Sequence, residues 1–233
     1  MKIFGKIPVR RQLTLAWLAT VAGLIVMGLL ILANLMGLQA ANADLAREER
    51  VDAALSDAQF RMARQENSYR GYLLSGEAYY IDRLETHRAA FRTSLDAARA
   101  EMPANQEATI NEALGTAEAW RRDVALTGAS RLDERRGLEA DQVVSEISRS
   151  ERYLEVVDDA IDRLKDANET ALAKARVEQA AASRNAMIAL TGGLASLILL
   201  VLLIALAASR IIAGSTFSMV GLLQKLKAEG ATA

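Results

Sequence analysis

"LTLAWLATVAGLIVMGLLILANLMGL", residues 13–38, is the stretch that decides the fold of this chain. It belongs to a longer segment, residues 12–43, that contains no charged residue. Crossing the hydrocarbon layer of a membrane takes roughly 20 apolar residues in a helix, because each residue rises about 1.5 Å. A second uncharged run spans residues 185–209. We therefore predict two transmembrane helices, at residues 13–38 and 186–209.

A buried core helix and a signal peptide are the alternatives to a membrane span. A buried core helix is disfavoured, because helices in soluble cores rarely stay uncharged over about 20 residues. The first run, with its basic leader and the small residues "ANA" at 41–43, also resembles a cleaved signal peptide. The apolar part of a signal peptide is only about 7–15 residues long, and this run is longer. An uncleaved anchor is predicted, and a binding protein released by cleavage stays as an alternative.

The distribution of charge predicts the orientation. Residues 1–11 carry four basic side chains and no acidic one, and residues 210–233 carry three basic and one acidic. The remaining 21 basic and 28 acidic side chains lie in residues 39–185. Basic flanks stay in the cytoplasm. We expect residues 1–12 and 210–233 to be cytoplasmic, with residues 39–185 outside (periplasmic or extracellular) and the chain in a bacterial inner (cytoplasmic) membrane.

Residues 39–185 are rich in Ala, Leu, Glu and Arg and contain one proline, a composition typical of helices. Apolar residues recur there at alternating steps of three and four in four stretches, separated by predicted breaks at Ser75-Gly76, Pro103–Asn105 and Thr127–Ser130. Such spacing gives each helix one apolar face, which must be buried. The prediction is an all-α fold: two transmembrane helices flanking an antiparallel four-helix bundle.

The apolar positions of the four stretches predict the bundle core. It includes Leu55, Met62, Leu84, Phe91, Leu95, Leu114, Ile147, Leu154 and Ile161. Polar residues also fall on these faces, namely Gln65, Arg88 and Asn168. They fix the register of helix packing, or they belong to a ligand pocket suited to an anion and lined by Arg70, Arg88, Tyr69 and Tyr72. The sequence alone does not choose between these two roles.

The first break is a hairpin motif with a defined sequence. Gly76 can take the positive φ that ends a helix, and Glu77 then suits the positive end of the next helix dipole. The motif consists of Arg70, Gly71, Tyr72, Leu73, Leu74, Ser75, Gly76 and Glu77. It is expected to turn the chain back so that a second helix packs on the first.

The stretch "QENSYRGYLLSGEAYYIDRLETHRAAFRTSLDAARA", residues 65–100, resembles the hairpin of the extracellular sensory domains called CHASE, third class. The later "AWRRDVA", residues 119–125, is similar to the third helix of that family. The resemblance implies a four-helix input domain between two membrane helices. It also implies the context of such domains: a homodimer, on chemotaxis receptors, sensor histidine kinases or cyclases.

One segment departs from the receptor pattern. Residues 209–233 could begin a HAMP-like linker, but they lack its usual proline and contain no kinase histidine, methylation helix or nucleotide-binding loop. We therefore expect a signal-transduction input module whose output module lies outside this sequence or on a cytoplasmic partner. The alternative is a stand-alone structural or scaffolding membrane subunit that acts through a protein partner.

Residue types argue against catalysis. His87 is the one histidine and cysteine is absent, so the chain offers no histidine-based metal cluster, triad or thiol nucleophile. We expect no enzyme activity, no metal and no cofactor. Nucleic acid is not an expected partner, because the central segment is acidic. The expected partners are the lipid bilayer and a second copy of the chain, while the stimulus stays unidentified.

Overall fold

The computed structural model describes residues 9–135 and 138–229. All elements within these ranges are helical, which confirms the all-α prediction. A 3-10 turn at Ala104–Gln106 precedes the third helix, and a π-helical stretch at Arg121–Ala125 joins the third helix to the fourth. The α-helices are α1 (Val9–Ser75), α2 (Ala78–Glu101), α3 (Glu107–Trp120), α4 (Leu126–Arg135) and α5 (Ala140–Glu229).

Two of the three predicted breaks are confirmed. Between α1 and α2, Gly76 has a φ of 70°, the left-handed conformation that glycine adopts without steric cost. Between α2 and α3, Met102 is extended, with φ −79° and ψ 154°. The residue before a proline avoids helical backbone angles, so Pro103 explains why α2 ends at Glu101.

The third predicted break, at Thr127–Ser130, is wrong. This stretch lies inside α4, which continues to Arg135. Gly128 is buried, and a Cβ atom built on it would collide with the hydroxyl oxygen of Tyr69. The glycine is therefore needed for a close approach between helices, and its backbone stays helical.

The described residues divide into two compact units, one of which is residues 41–179. Its core draws on α1, α2, α3 with the π-helical stretch, and α5. Seven of the nine predicted core residues are buried, and two are partly buried and pack against the cluster. The buried ones are Leu55, Met62, Leu84, Phe91, Leu95, Leu154 and Ile161, and the partly buried ones are Leu114 and Ile147.

Helices α1 and α5 are joined within this unit by polar contacts between distant parts of the chain. The side-chain amide of Asn168 donates to the carbonyl of Glu48 at 3.2 Å. The amide of Gln179 donates to the side-chain oxygen of Asn42 at 3.1 Å. These contacts connect the beginning and the end of the 41–179 unit.

The second unit consists of the chain on either side, up to Ala40 and from Ala180. Within the described residues, α1 and α5 are long and apolar enough to cross a membrane, with windows of mean hydropathy 2.4 and 2.6. No residue of either window is buried, which contradicts a core helix. The predicted cytoplasmic segments, residues 1–12 and 210–233, lie partly outside the described residues.

Candidate functional site

The hairpin motif, Arg70–Glu77, contains the end of α1 and the turn into α2. The N–H of Gly76 donates to the carbonyl of Tyr72 at 2.8 Å. The hydroxyl of Ser75 donates to the carbonyl of Gly71 at 2.8 Å and accepts the N–H of Glu77 at 3.2 Å. Glu77 is the N-cap of α2, one position before the first turn where we expected it, and its side chain makes no capping bond.

The other glycine of the motif, Gly71, allows a close contact between helices. A Cβ atom on Gly71 would lie 2.5 Å from Cε1 and 2.6 Å from Cδ1 of Tyr80. Tyr80 itself packs edge-on against Tyr79, with ring centroids 5.4 Å apart. The ring of Tyr80 in α2 therefore rests directly on the backbone of α1. This contact gives a steric reason for glycine after Arg70.

Next to the hairpin motif, two buried aromatic rings bridge α1 and α3. The rings of Tyr69 and Trp120 meet edge to face, with centroids 5.9 Å apart and planes at 88°. The indole N–H of Trp120 donates to the hydroxyl of Ser150 at 2.7 Å. The hydroxyl of Tyr69 lies 3.5 Å from a carboxylate oxygen of Glu146. We call these four residues the Tyr69–Trp120 network.

The Tyr69 hydroxyl is protonated at neutral pH, as in an ordinary tyrosine, and its surroundings favour this form further. Burial, followed by the negative charge of Glu146, raises the pKa of Tyr69 far above its usual value. The hydroxyl therefore remains a hydrogen-bond donor, and the carbonyl of Val124 lies within reach at 3.4 Å. The network thus fixes Tyr69 against the helix that contains Trp120.

The π-helical stretch Arg121–Ala125 lies at this junction, and side chains donate hydrogen bonds to its carbonyls. The Arg122 carbonyl accepts from the hydroxyl of Thr127 at 3.2 Å. The Asp123 carbonyl accepts from the guanidinium of Arg149 at 2.6 Å. A π-helical turn is wider than an α-helical turn and interrupts the regular α-helical hydrogen bonds. The carbonyls affected need other donors. Here α5 supplies one of them.

Glu146 is a buried charge that the sequence pattern did not reveal. Its side chain is only 7% exposed, and it pairs with Arg131 and, at 3.7 Å, with Arg149. A buried carboxylate is costly unless it is paired, so these two arginines stabilise it. The apolar pattern pointed to Ile147 instead. The available signal was that Glu146 precedes Ser150 by four residues, on the same face of α5.

A cavity of about 540 Å³ lies between α2 and α3, with Gln65 of α1 in its wall. Arg88 lines the cavity. Its Nε and Nη2 atoms lie 2.9 Å and 2.8 Å from a carboxylate oxygen of Glu118. The cavity combines charged side chains with apolar ones such as Phe91 and Leu114. Its size lies within the range of small-molecule sites, and its lining is more polar than is usual for them.

The four residues predicted to form a ligand pocket do not share this cavity. Arg88 lines it, but Arg70, Tyr69 and Tyr72 are not in its lining. Both tyrosines are buried, whereas Arg70 pairs with Glu66 at 2.5 Å. Successive residues of an α-helix differ by about 100° around the axis, so Arg70 leaves α1 on another face than Tyr69.

Comparison with known families assigns this unit. A model of the CHASE3 domain matches residues 41–179, which is more than half of the chain. The chain belongs to the CHASE3 domain family. CHASE3 domains are extracellular sensory domains of bacterial receptors, and the match confirms the resemblance inferred from residues 65–100 and 119–125. No curated protein and no solved structure matches the chain.

The CHASE3 match has the same bounds as the compact unit, residues 41–179. It includes the hairpin motif, the Tyr69–Trp120 network and the cavity. The features with distinctive chemistry in the described part of the chain therefore lie in its sensory domain.

Proposed function

We propose that this chain is the input module of a transmembrane receptor, of the chemotaxis-receptor or sensor-kinase kind. In this proposal the CHASE3 domain is an antiparallel four-helix bundle outside the cytoplasm, and the two apolar runs cross the membrane. The observation that carries it is the continuity of α5. One unbroken helix, Ala140–Glu229, contains both the last part of the CHASE3 domain and the second apolar run.

The mechanism we propose is mechanical. A stimulus that favours one packing of α5 in the sensory domain displaces the second apolar run by a piston, tilt or rotation. Moving such a two-state balance almost completely requires a preference of about 10⁴-fold, on the order of 5.5 kcal/mol. Weaker coupling gives a graded bias. No catalytic step is required, so the proposal includes no enzyme activity.

One polar residue of α5 in the core, Asn168, bears on the proposed shift. Asn168 is buried, and its side-chain oxygen has no hydrogen-bond partner within the described part of the chain. Its amide is bonded to the carbonyl of Glu48 on α1. A polar core residue selects register at some cost in stability, so an incompletely satisfied one lowers the cost of shifting α5 against α1.

The proposed topology has both termini in the cytoplasm, residues 39–185 outside, and a bacterial inner membrane between them. The acidic central segment and the basic flanks support it, as does the extracellular placement of CHASE3 domains. The proposed assembly is a homodimer, as the heptad-like spacing on the helices allows.

A chimeric receptor tests this function. The chain is fused after Arg210 to the cytoplasmic part of a sensor histidine kinase with a reporter gene, in several helical registers. Asn168→Leu removes the polar contact of α5 and is expected to change reporter output several-fold in at least one register. The matched control is Asn67→Leu at an exposed position of α1. Unchanged output with Asn168→Leu in every register would contradict signalling and favour the scaffolding alternative.

A further inference from the structure

The charges around the cavity are unevenly compensated. At one end, Arg88 and Arg121 face Glu85 and Glu118. Arg121 lies 2.6 Å from Glu85 and 3.4 Å from Glu118. Arg88 lies 2.8 Å from Glu118 and 3.4 Å from Glu85. Two positive and two negative charges therefore balance at this end.

The opposite end has an excess of positive charge. Arg92 and Arg99 share a single carboxylate, Asp96, at 4.0 Å and 3.0 Å. Arg99 also donates from Nη2 to the side-chain oxygen of Asn111 at 2.6 Å. Its Nε is buried and, among the described residues, has no partner. Two guanidinium charges against one carboxylate leave one positive charge available to a ligand at this end.

The remaining wall of the cavity is mixed, with an apolar part formed by α2 and α3. Phe91 is buried and, with Leu114, lines the cavity. Gln65 is only 1% exposed, and its amide makes a weak contact of 3.6 Å with the sulfur of Met62. A Cβ atom on Gly115 would meet nothing within 4 Å, so this glycine leaves the cavity open.

We propose that the cavity binds a small organic carboxylate with an apolar body. The carboxylate lies at Arg92 and Arg99, and the body packs against Leu114 and the exposed Ala89. A guanidinium matches a carboxylate in planarity and charge. The single uncompensated charge and the apolar wall favour such a ligand over inorganic phosphate. The inference rests on the proposed function, since it names the class of stimulus.

Binding is measured by calorimetry on the full chain in lipid nanodiscs, with empty nanodiscs as the blank. The probe is phenylpropionate. Phenylpropanamide has the same apolar body without the charge, and inorganic phosphate has charge without that body. We expect saturable binding of phenylpropionate and affinities at least about tenfold weaker for both comparators, because each loses one of the two kinds of contact.

Three variants locate the site. Gly115→Leu fills the cavity and is expected to abolish binding without lowering the melting temperature, because its side chain enters open space. Arg92→Gln removes a largely exposed charge, 71% accessible, and is expected to weaken binding about tenfold. Arg163→Gln is the control, since Arg163 pairs with Glu112 and does not line the cavity. It is expected to bind as the unaltered chain does.

The inference is overturned by absence of saturable binding, by equal binding of the amide or of phosphate, or by unchanged binding in Gly115→Leu. The chimeric receptor separates this result from the proposed function. Binding of phenylpropionate without any reporter response would refute the signalling role, and the proposed carboxylate site would still stand. A reporter response to Asn168→Leu without carboxylate binding would refute only the site.

Discussion

Two glycines, Gly128 and Gly115, have opposite surroundings. Gly128→Ala places a Cβ atom against the hydroxyl of the buried Tyr69, and such overpacking costs about 1–3 kcal/mol. Gly115→Ala adds a methyl group in open space inside a helix, which stabilises by about 0.5–1 kcal/mol. Melting temperatures of the full chain in nanodiscs are therefore expected to fall for the first variant and rise for the second.

The double variant Gly128→Ala with Tyr69→Phe identifies the cause. Removing the hydroxyl leaves the ring carbon Cζ as the nearest atom, at 3.1 Å from the built Cβ. Part of the lost stability is expected to return relative to Gly128→Ala alone. Equal melting temperatures for Gly128→Ala and the unaltered chain would contradict the close approach of α4 to Tyr69.

Glu66 is expected to make the stability of the sensory domain depend on pH. Burial, together with the charges of Asp158 and Glu151, raises the pKa of Glu66 above its usual 4.5, although the charge of Arg70 opposes the shift. The folded state then holds this proton more tightly than the unfolded chain does. This contribution to stability is therefore present at low pH and is lost as pH rises from about 4.5 through the raised pKa.

The test compares melting temperatures at about pH 4, below the usual pKa, and at about pH 8. Glu66→Gln cannot titrate, so the fall in stability between the two conditions is expected to shrink. Glu155→Gln, at an exposed position of α5, is the control and is expected to leave that difference unchanged. An unchanged pH dependence in Glu66→Gln would show that other groups cause it.

Single residues limited what could be predicted from the sequence. Glycine at position 76 ends a helix, whereas glycine at position 128 stays inside one, because a ring from α1 occupies the space of its missing side chain. The two cases differ only in what packs there, and a local sequence does not contain that information. Glu146 was missed for the same reason, since its partner Arg131 lies on α4.

At the scale of an element, one face of α5 lies in the core. Ile161 is fully buried, whereas Val156 is 40% exposed. Ile161→Asp places a charge in the core and is expected to unfold the sensory domain, a loss of several kcal/mol. Limited proteolysis is expected to digest residues 41–179 while the chain stays in the membrane fraction. Val156→Asp is the matched control, and equal protease resistance of the two variants would contradict the buried face.

The π-helical stretch makes a second prediction for an element. Arg149→Met removes the donor to the Asp123 carbonyl and one partner of the buried Glu146. The expected loss is about 1–3 kcal/mol, because buried polar groups are left unsatisfied. Thermal unfolding measures it, with Arg152→Met at an exposed position of α5 as the control. Equal melting temperatures would show that the stretch does not depend on α5.

Regular helices were predictable here, and the irregular one was not. The three–four spacing of residues such as Val51, Leu55 and Ala58 directly reports which face is buried, and all three are buried. A π-helical stretch has no such spacing. It depends on side chains from elsewhere, Arg149 and Tyr69, that donate to its displaced carbonyls.

At the scale of the whole molecule, the absence of cysteine makes topology measurable. Each introduced cysteine is unique, so labelling with a membrane-impermeant maleimide reports one position. In spheroplasts, Ser148→Cys is expected to react at once, and Lys2→Cys only after permeabilisation. The opposite pattern would reverse the proposed orientation. A label on Lys2→Cys in a chain of about 25.2 kDa would also exclude cleavage after Ala43.

The hydrogen bond between Gln179 and Asn42 closes a loop of 137 residues. Bringing the ends of so long a chain together costs about 4 kcal/mol of conformational entropy. During synthesis, the face of α1 that contacts α5 stays unpaired until α5 has been made. The contacting residues Glu48 and Asn168 are 120 residues apart in the chain. If both flanks are held in one bilayer, the two ends of the loop move only within the membrane plane, and the entropic cost of bringing them together falls. A sensory domain excised at residues 41 and 179 has to bear the closure cost alone.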